Sequence, residues 1–313
     1  MADINQFGLD IGIYGPLARA DTIIDLACFA EKSGFNSIWL ADHIVFPSEF
    51  ESLYPYSSNG DFPVSISEPL MEPIATMGVL VGATKTIRLG TAVLIMPYRN
   101  PILLARMLIT IDQFSKGRII LGAGVGWLRE EFEVMNTFDF EKRGQVTDEY
   151  IEIFKLLSKG GEVSYNGSTY QFPQIYSVPG SVQKPHPPVL IGGIADPALR
   201  RVVNFGDGWL AVALDAERMK ERLKKLKNLC KESNRNFNDL DLVYKIFINP
   251  GDPKPGPFGG REVGTGSEIQ IIDDLKSIFD AGFNSVVVRY RGESTKVQTE
   301  QMERFASDII PKI

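Results

Sequence analysis

Eight short runs rich in valine, isoleucine and leucine recur along the chain, at residues 7–14, 37–42, 87–94, 118–125, 188–193, 208–213, 242–248 and 285–290. Most are near-continuous apolar runs rather than strict alternations of apolar and polar positions. That pattern belongs to parallel strands covered on both faces. Between them, apolar residues recur at helical spacing. Ile23, Ile24, Ala27 and Ala30 make one such stripe, with Asp21 as candidate cap and Gly34 as stop. Ile271, Leu275, Ile278 and Phe279 make another, preceded by Ser267 and Gln270 at capping-box spacing and ended by Gly282. Pro101 opens a third stretch at a position where a missing N–H costs nothing. Strands alternating with helices call for right-handed crossovers and a parallel sheet. Eight such units predict a closed (β/α)₈ TIM barrel with rim insertions, formed as a single domain over residues 1–313.

A repeat points the same way. Residues 34–37 read GFNS before IWL, and residues 282–285 read GFNS before VVV. Each copy joins a helix end, a turn and a strand, as expected of the first and last units of a cyclic array. Three connections are long. Residues 44–68, rich in Pro, Ser and aromatics, follow the second strand, and residues 249–266 follow the seventh. Both leave the carboxyl end of a strand, the face where barrel enzymes place their active sites. Residues 160–187 contain EVSYNGSTYQF, a predicted hairpin with Asn166-Gly167 at its turn.

Composition narrows the partners. The chain is 44% hydrophobic and 23% charged, with a net charge of −6. These are values of an ordinary globular protein. Its one basic cluster, residues 220–227, lies in a helical pattern and reads as a solvated face, so no nucleic-acid partner is expected. No apolar run approaches the ~18 residues of a membrane span, and the N-terminus lacks the pattern of a signal peptide. A cytoplasmic location without a membrane partner is the expectation. Cys28 and Cys230 lie far apart without metal-ligand spacing and read as inert thiols, and no metal is expected.

The candidate chemistry lies at strand ends. Asp42-His43 closes the second strand, and catalytic groups in barrels come from such positions. Histidine suits the task because small shifts move its charge across neutral pH. The plainer alternative is a histidine that caps the next loop, with Asp42 as its hydrogen-bond partner. The run GAGVGW, residues 122–127, reads either as backbone approaching a flat ligand with Trp127 as a wall, or as a tight turn. Gly192-Gly193, ahead of Asp196-Pro197-Ala198, offers exposed N–H groups at a helix start, with Arg200 and Arg201 one turn on. Such a start attracts phosphate, although a plain Gly-rich turn fits equally. Arg289 and Arg291 close the last strand, a usual phosphate position in barrels, against the alternative of solvated surface arginines. His186, between two prolines, reads as structural.

Taken together, residues 87–133 (IRLGTAVLIMPYRNPILLARMLITIDQFSKGRIILGAGVGWLREEFE), ADH at 41–43 and PPVLIGG…GDGW at 187–209 resemble the bacterial luciferase-like superfamily. Within it the chain looks most like the branch of coenzyme F420-dependent oxidoreductases. The resemblance covers nearly the whole chain, and its LGT…NP…GR…G-GW…E pattern is specific where ADH alone is not. It implies a barrel binding F420 or FMN at its C-terminal mouth. His43 then matches the histidine beside the reactive deazaflavin carbon. Ala92 and Val93 match the pair that bulges behind the ring, often through a non-prolyl cis peptide. Gly126 and Trp127 match a wall, and Gly192-Gly193 the phosphate turn.

One position departs from the pattern. Relatives that oxidise hexose phosphates carry a glutamate proton donor where Trp127 stands, which argues against that mechanism here unless nearby Glu130 is recruited. The implied activity is hydride transfer between reduced F420 and a small organic substrate. Two alternatives stand beside it. One is a two-component FMN monooxygenase, in which reduced flavin from a separate reductase reacts with O₂. The other is a non-catalytic flavin-binding relative. A homodimer is the expected assembly.

Overall fold

Each apolar run lies in a strand of one closed sheet. The computed structural model describes residues 5–57, 59–136, 138–257, 259–290 and 294–313. Among these, eight parallel strands form the barrel: β1 (Gln6–Asp10), β2 (Ser37–Leu40), β3 (Arg88–Thr91), β4 (Ile119–Gly124), β5 (Val189–Gly192), β6 (Gly208–Val212), β7 (Asp241–Pro250) and β8 (Ser285–Tyr290). They pair in sequence order, and β8 returns to β1 with Gln6 opposite Ser285 and Leu9 opposite Val288. The predicted third strand is interrupted. After Thr91 the Ala92-Val93 peptide is cis, and the chain resumes as Leu94–Ile95 beside Ala123 and Gly124 of β4.

The near-continuous apolar pattern has its reason in two cores. Trp39, Ile120, Leu190, Leu210, Val243 and Val287 pack together in one, while Val286 and Val288, the neighbours of Val287 on β8, join a larger one. Successive residues of a strand face opposite sides of the sheet, so both sides must be apolar. Trp39 takes so much of the inner space that β1 and β3 present glycine to it. A Cβ at Gly8 or Gly90 would lie 2.6 Å from its indole.

Around the barrel run α1 (Ala20–Lys32), α2 (Pro73–Ala83), α3 (Pro101–Ser115), the short α4 (Arg129–Met135), α5 (Arg143–Lys159), α6 (Asp196–Phe205), α7 (Ala216–Glu232), α8 (Glu268–Asp280) and α9 (Thr295–Arg304). The capping box of Ser267 and Gln270 is formed, and Asn100 caps α3 ahead of Pro101. Asp21 does not cap α1. Arg19 holds the cap position and Asp21 sits inside the first turn, where its charge still complements the helix dipole.

The hairpin pairs Gly161–Asn166 with Gln171–Ser177, but Asn166 ends a strand rather than making a two-residue turn. Residues 167–170 wrap instead around the buried Glu149 carboxylate, which accepts from the amides of Ser168, Thr169 and Tyr170. A tertiary anchor overrides the local turn signal. Residues 44–68 hold neither helix nor strand among those described, and β7 runs on into the loop at 249–266, where Thr265–Gly266 pairs with its end. No helix of the described residues is long and apolar enough to cross a membrane.

Glu31, near the end of α1, ties this helix to the entry of β3. Its carboxylate accepts from the amides of Lys85, Thr86 and Ile87 at 2.9, 2.6 and 2.9 Å. Desolvation works against ionisation, yet these bonds hold the carboxyl down at about 2. The stabilisation is therefore complete above the ordinary value of 4.5 and lost as pH falls towards 2. Glu31→Gln should cost about 1 kcal/mol at pH 7, the figure being reduced for solvent screening at this part-exposed position. Urea melts should show the gap from wild type shrinking at pH 3. An unchanged midpoint at pH 7 would remove the anchor.

Candidate active site

A cavity of about 610 Å³ opens at the carboxyl ends of the strands. That is the size of a small-molecule or cofactor site. Asp42, His43, Ala92, Val93, Gly126, Trp127, Gly192 and Gly193 all line it. Residues distributed over four strand ends in the sequence thus share one chamber.

Its floor is the interruption after β3. The Val93 side chain occupies the space that glycine leaves on two neighbouring strands. A Cβ at Gly124 would lie 2.2 Å from Val93 Cγ2, and one at Gly192 2.3 Å from Val93 Cγ1. At Gly122 a Cβ would meet the Thr91 carbonyl oxygen at 1.8 Å. The glycines of GAGVGW therefore accommodate the chain's own bulge as much as any ligand.

His43 is buried, and its Nδ1 lies 2.7 Å from Glu131 Oε2 on α4. Glu131 has no exposed surface, yet both its oxygens are satisfied. Oε1 accepts from the amides of Ile44 and Val45 at 2.7 and 3.3 Å, and Oε2 also accepts from the Tyr98 hydroxyl at 2.8 Å. Burial and the adjacent carboxylate hold the Tyr98 phenol well above its ordinary range, so it remains a donor. A carboxylate beside Nδ1 assigns the proton to that nitrogen and leaves Nε2 as the imidazole's second functional atom.

Asp42 is not the partner of His43. Its carboxylate accepts from both terminal nitrogens of Arg99 at 2.6 and 2.9 Å and from the Ile95 amide at 2.8 Å. Burial pushes the Asp42 carboxyl up, and the Arg99 pair opposes that rise. Arg99 reaches Glu72 as well, at 2.6 Å. Asp42 thus clamps the segment that follows the cis peptide, and the hydrogen bond to His43 read for it is made by Glu131 instead. Glu130 is also engaged elsewhere, accepting from the amides of Glu51 and Ser52. The sequence does carry a signal for Glu131. Leu128, Glu131 and Phe132 stand at i, i+3 and i+4, which puts a carboxylate on the buried side of a helix.

The opposite end of the cavity is suited to an anion. Gly193 has φ +111°, a conformation open to glycine, and its carbonyl accepts from the Trp209 indole at 2.7 Å. α6 begins directly beyond without a side-chain cap; Pro197 has no N–H, and the Ala198 and Leu199 amides donate to the Ala195 carbonyl. Arg143 and Arg201 line this end. Arg201 is paired with Asp148, while the Nε of Arg143 is buried without a partner. Arg143 was not legible as a site residue, because it lies at the start of α5, about 50 residues before the glycines it faces. Arg200 is exposed.

Arg289 stands outside the cavity lining. Its guanidinium lies 3.5 Å from Asp10 Oδ2, donates to the Tyr14 hydroxyl at 3.1 Å and stacks over the Tyr14 ring. Asp10 also receives Lys245 Nζ at 2.5 Å. Burial opposes ionisation of Asp10, but these two cations outweigh it and hold its carboxyl below the usual range. The last strand therefore directs Arg289 to an internal ion cluster, and Arg143 and Arg201 are the arginines at the glycine end. Arg291 lies outside the described residues. His186 Nδ1 is 2.9 Å from the Pro187 carbonyl, away from the cavity.

Comparison with known proteins agrees with this architecture. The sequence profile of a family described as luciferase-like monooxygenase matches residues 6–254. An uncharacterised protein of Mycobacterium tuberculosis is 28% identical over 319 residues, covering 97% of this chain and 96% of its own length. The F420-dependent hydroxymycolic acid dehydrogenase of M. tuberculosis is 26% identical over 240 residues, covering 75% of this chain and 61% of its own. The solved structure of an F420-dependent secondary alcohol dehydrogenase with an F420-acetone adduct superposes over 98% of both chains, with a TM-score of 0.79 at 17% identity.

Proposed function

The chain belongs to the luciferase-like monooxygenase family, and on that premise we propose that it is an oxidoreductase that binds coenzyme F420 at the barrel mouth and moves a hydride to or from a small organic substrate. One observation carries the reading. A single cavity joins a buried, oriented imidazole to an anion-suited end across the Val93 floor. The buried, unpartnered Nε of Arg143 and the uncapped start of α6 fit the phosphate-bearing tail of such a cofactor. The walls at Val93, Gly126 and Trp127 would hold its ring.

When bound, the deazaflavin supplies a hydride donor or acceptor carbon. The protein's own part is proton management. In the oxidising direction, His43 accepts a substrate hydroxyl proton at Nε2 as hydride leaves the adjoining carbon. Glu131 then faces an imidazolium, whose charge it offsets. In the reducing direction the same proton returns to the forming alkoxide. Asp42 and Arg99 keep the segment behind the floor in place, and Phe46 and Phe62, with ring centroids 4.6 and 5.5 Å from that of the imidazole, limit water around it.

The family description itself favours a second reading, a two-component monooxygenase that receives reduced FMN from a separate reductase. Titration of the pure protein with F420 and with FMN, followed by absorbance and fluorescence, separates the two. Tighter binding of F420 is expected. Tighter binding of FMN, with substrate-dependent O₂ uptake, would favour the monooxygenase, and binding of neither would end both readings.

A further inference from the structure

We infer that the part of the cavity roofed by residues 44–68 is a substrate compartment for a neutral, planar, largely apolar molecule of the class of aromatic alcohols or ketones. The inference rests on the hydride-transfer reading above and adds to it the chemistry of the substrate. It starts from what the long loop brings to the mouth. Phe62 stacks on Trp127, with ring centroids 5.7 Å apart and planes inclined by 29°. Tyr54 stands in edge-to-face contact with both, at 5.2 Å from Trp127 and 5.3 Å from Phe62. Tyr14 lies 5.6 Å from Phe62 and 6.1 Å from the imidazole of His43. The imidazole itself is 6.0 Å from Trp127. These residues all line the cavity. A molecule that reaches His43 through this end is therefore bordered by aromatic side chains, which favour a flat guest by dispersion and by edge or offset ring contacts.

Charge decides between neutral and ionised guests. The charged groups that line this wall are already engaged. Asp42 is held by Arg99, Glu131 by His43, Tyr98 and two amides, and Lys245 by Asp10. A carboxylate would find no cation within reach on this wall, and burying a carboxylate without a partner is costly. The surplus charge of the Asp10 cluster is carried by Arg289, which stands outside the cavity lining and is turned onto the Tyr14 hydroxyl and ring. An ammonium would gain from the rings, but Asp10, Lys245 and Arg289 together leave one excess positive charge beside Tyr14. What remains is a neutral guest with one polar atom to offer His43, at the carbon that exchanges hydride. That is an alcohol on one side of the reaction and a ketone on the other. The loop carries the selectivity, since Tyr54 and Phe62 both come from it.

Fluorine NMR on the protein without added cofactor tests this directly, with 4-fluoroacetophenone as the neutral probe. Its anionic and cationic counterparts are 4-fluorobenzoate and 4-fluorobenzyltrimethylammonium. The ketone is expected to bind at least about 10-fold more tightly than either. Phe62→Ala is expected to weaken the ketone about 10-fold, the loss of one aromatic face. Phe62→Leu should fall between, with unchanged circular dichroism and unchanged F420 titration in both variants. Equal binding of a charged probe, or a ketone affinity indifferent to Phe62, would overturn the compartment. If no cofactor binds while the ketone still does so in a Phe62-dependent manner, the hydride reading fails and the compartment stands. If F420 binds but the ketone ignores Phe62, the compartment alone fails.

Discussion

Replacing His43 with alanine is expected to lower turnover by about 10²–10⁴-fold, the usual range for a general acid–base group. Cofactor affinity should change far less, because the walls at Val93, Gly126 and Trp127 are untouched by the substitution. The expectation rests on the surroundings of the imidazole as much as on its place at a strand end. Its Nδ1 is committed to Glu131 at 2.7 Å, so the ring has one orientation and one tautomer. Glu131→Gln keeps the shape but offers an amide that can donate as well as accept, so the tautomer is no longer imposed. Turnover should fall by roughly 10²-fold with KM nearly constant, since the interaction lost is one made with the reacting group. A merely structural Glu131 would instead lower stability and KM-related binding together. Steady-state kinetics of both variants beside a cofactor titration make the check. Full activity in His43→Ala would reduce the residue to a loop cap and bring the binding-only reading forward.

Gly193→Val is expected to weaken cofactor binding by roughly 100-fold, because a branched side chain keeps an anionic tail from the backbone of the turn and from the positive end of the α6 dipole. Read from the sequence alone, that change should leave thermal stability nearly intact. The structure alters this expectation. Gly193 has φ +111°, and a Cβ there would lie 3.2 Å from that of Ala198. Valine should therefore also cost about 1–3 kcal/mol of stability. Arg143→Ala separates the two effects. It removes the charged donor and leaves the turn untouched, so affinity should fall about 10–100-fold, the worth of a hydrogen bond to a charged group. Cofactor titrations with thermal melts of both variants test the site. Wild-type affinity in both would move the anion site away from this end of the cavity.

Much of the barrel was legible because its signals are local. A strand covered on both sides must be apolar at consecutive positions, and Ser267 with Gln270 need no distant partner to form a capping box. The same is true of His43, whose place follows from the end of an apolar run. Where the reading erred, a distant group had intervened. Asn166-Gly167 yields its two-residue turn to Glu149; the Asp21 cap alone fails for a local reason, since the helix begins two residues earlier than that cap requires, with Arg19 at the cap position.

The order and number of the strands, and the placing of Asp42-His43 and Gly192-Gly193 at strand ends, were therefore determined by the sequence, through periodicity and backbone restriction. Resemblance added the cis peptide at Ala92-Val93. Only the tertiary structure decided the charges. Asp42 and His43 are neighbours, yet adjacent side chains on a strand end point to different surroundings, one to Arg99 and the other to Glu131, 88 residues on. The same holds for Arg289, which pairs with Asp10 across the closure of the barrel, and for Arg143, which lines the same cavity as the glycine turn from the start of another helix. A buried charge takes the partner that three-dimensional packing brings within reach, and that partner has no fixed spacing in the chain.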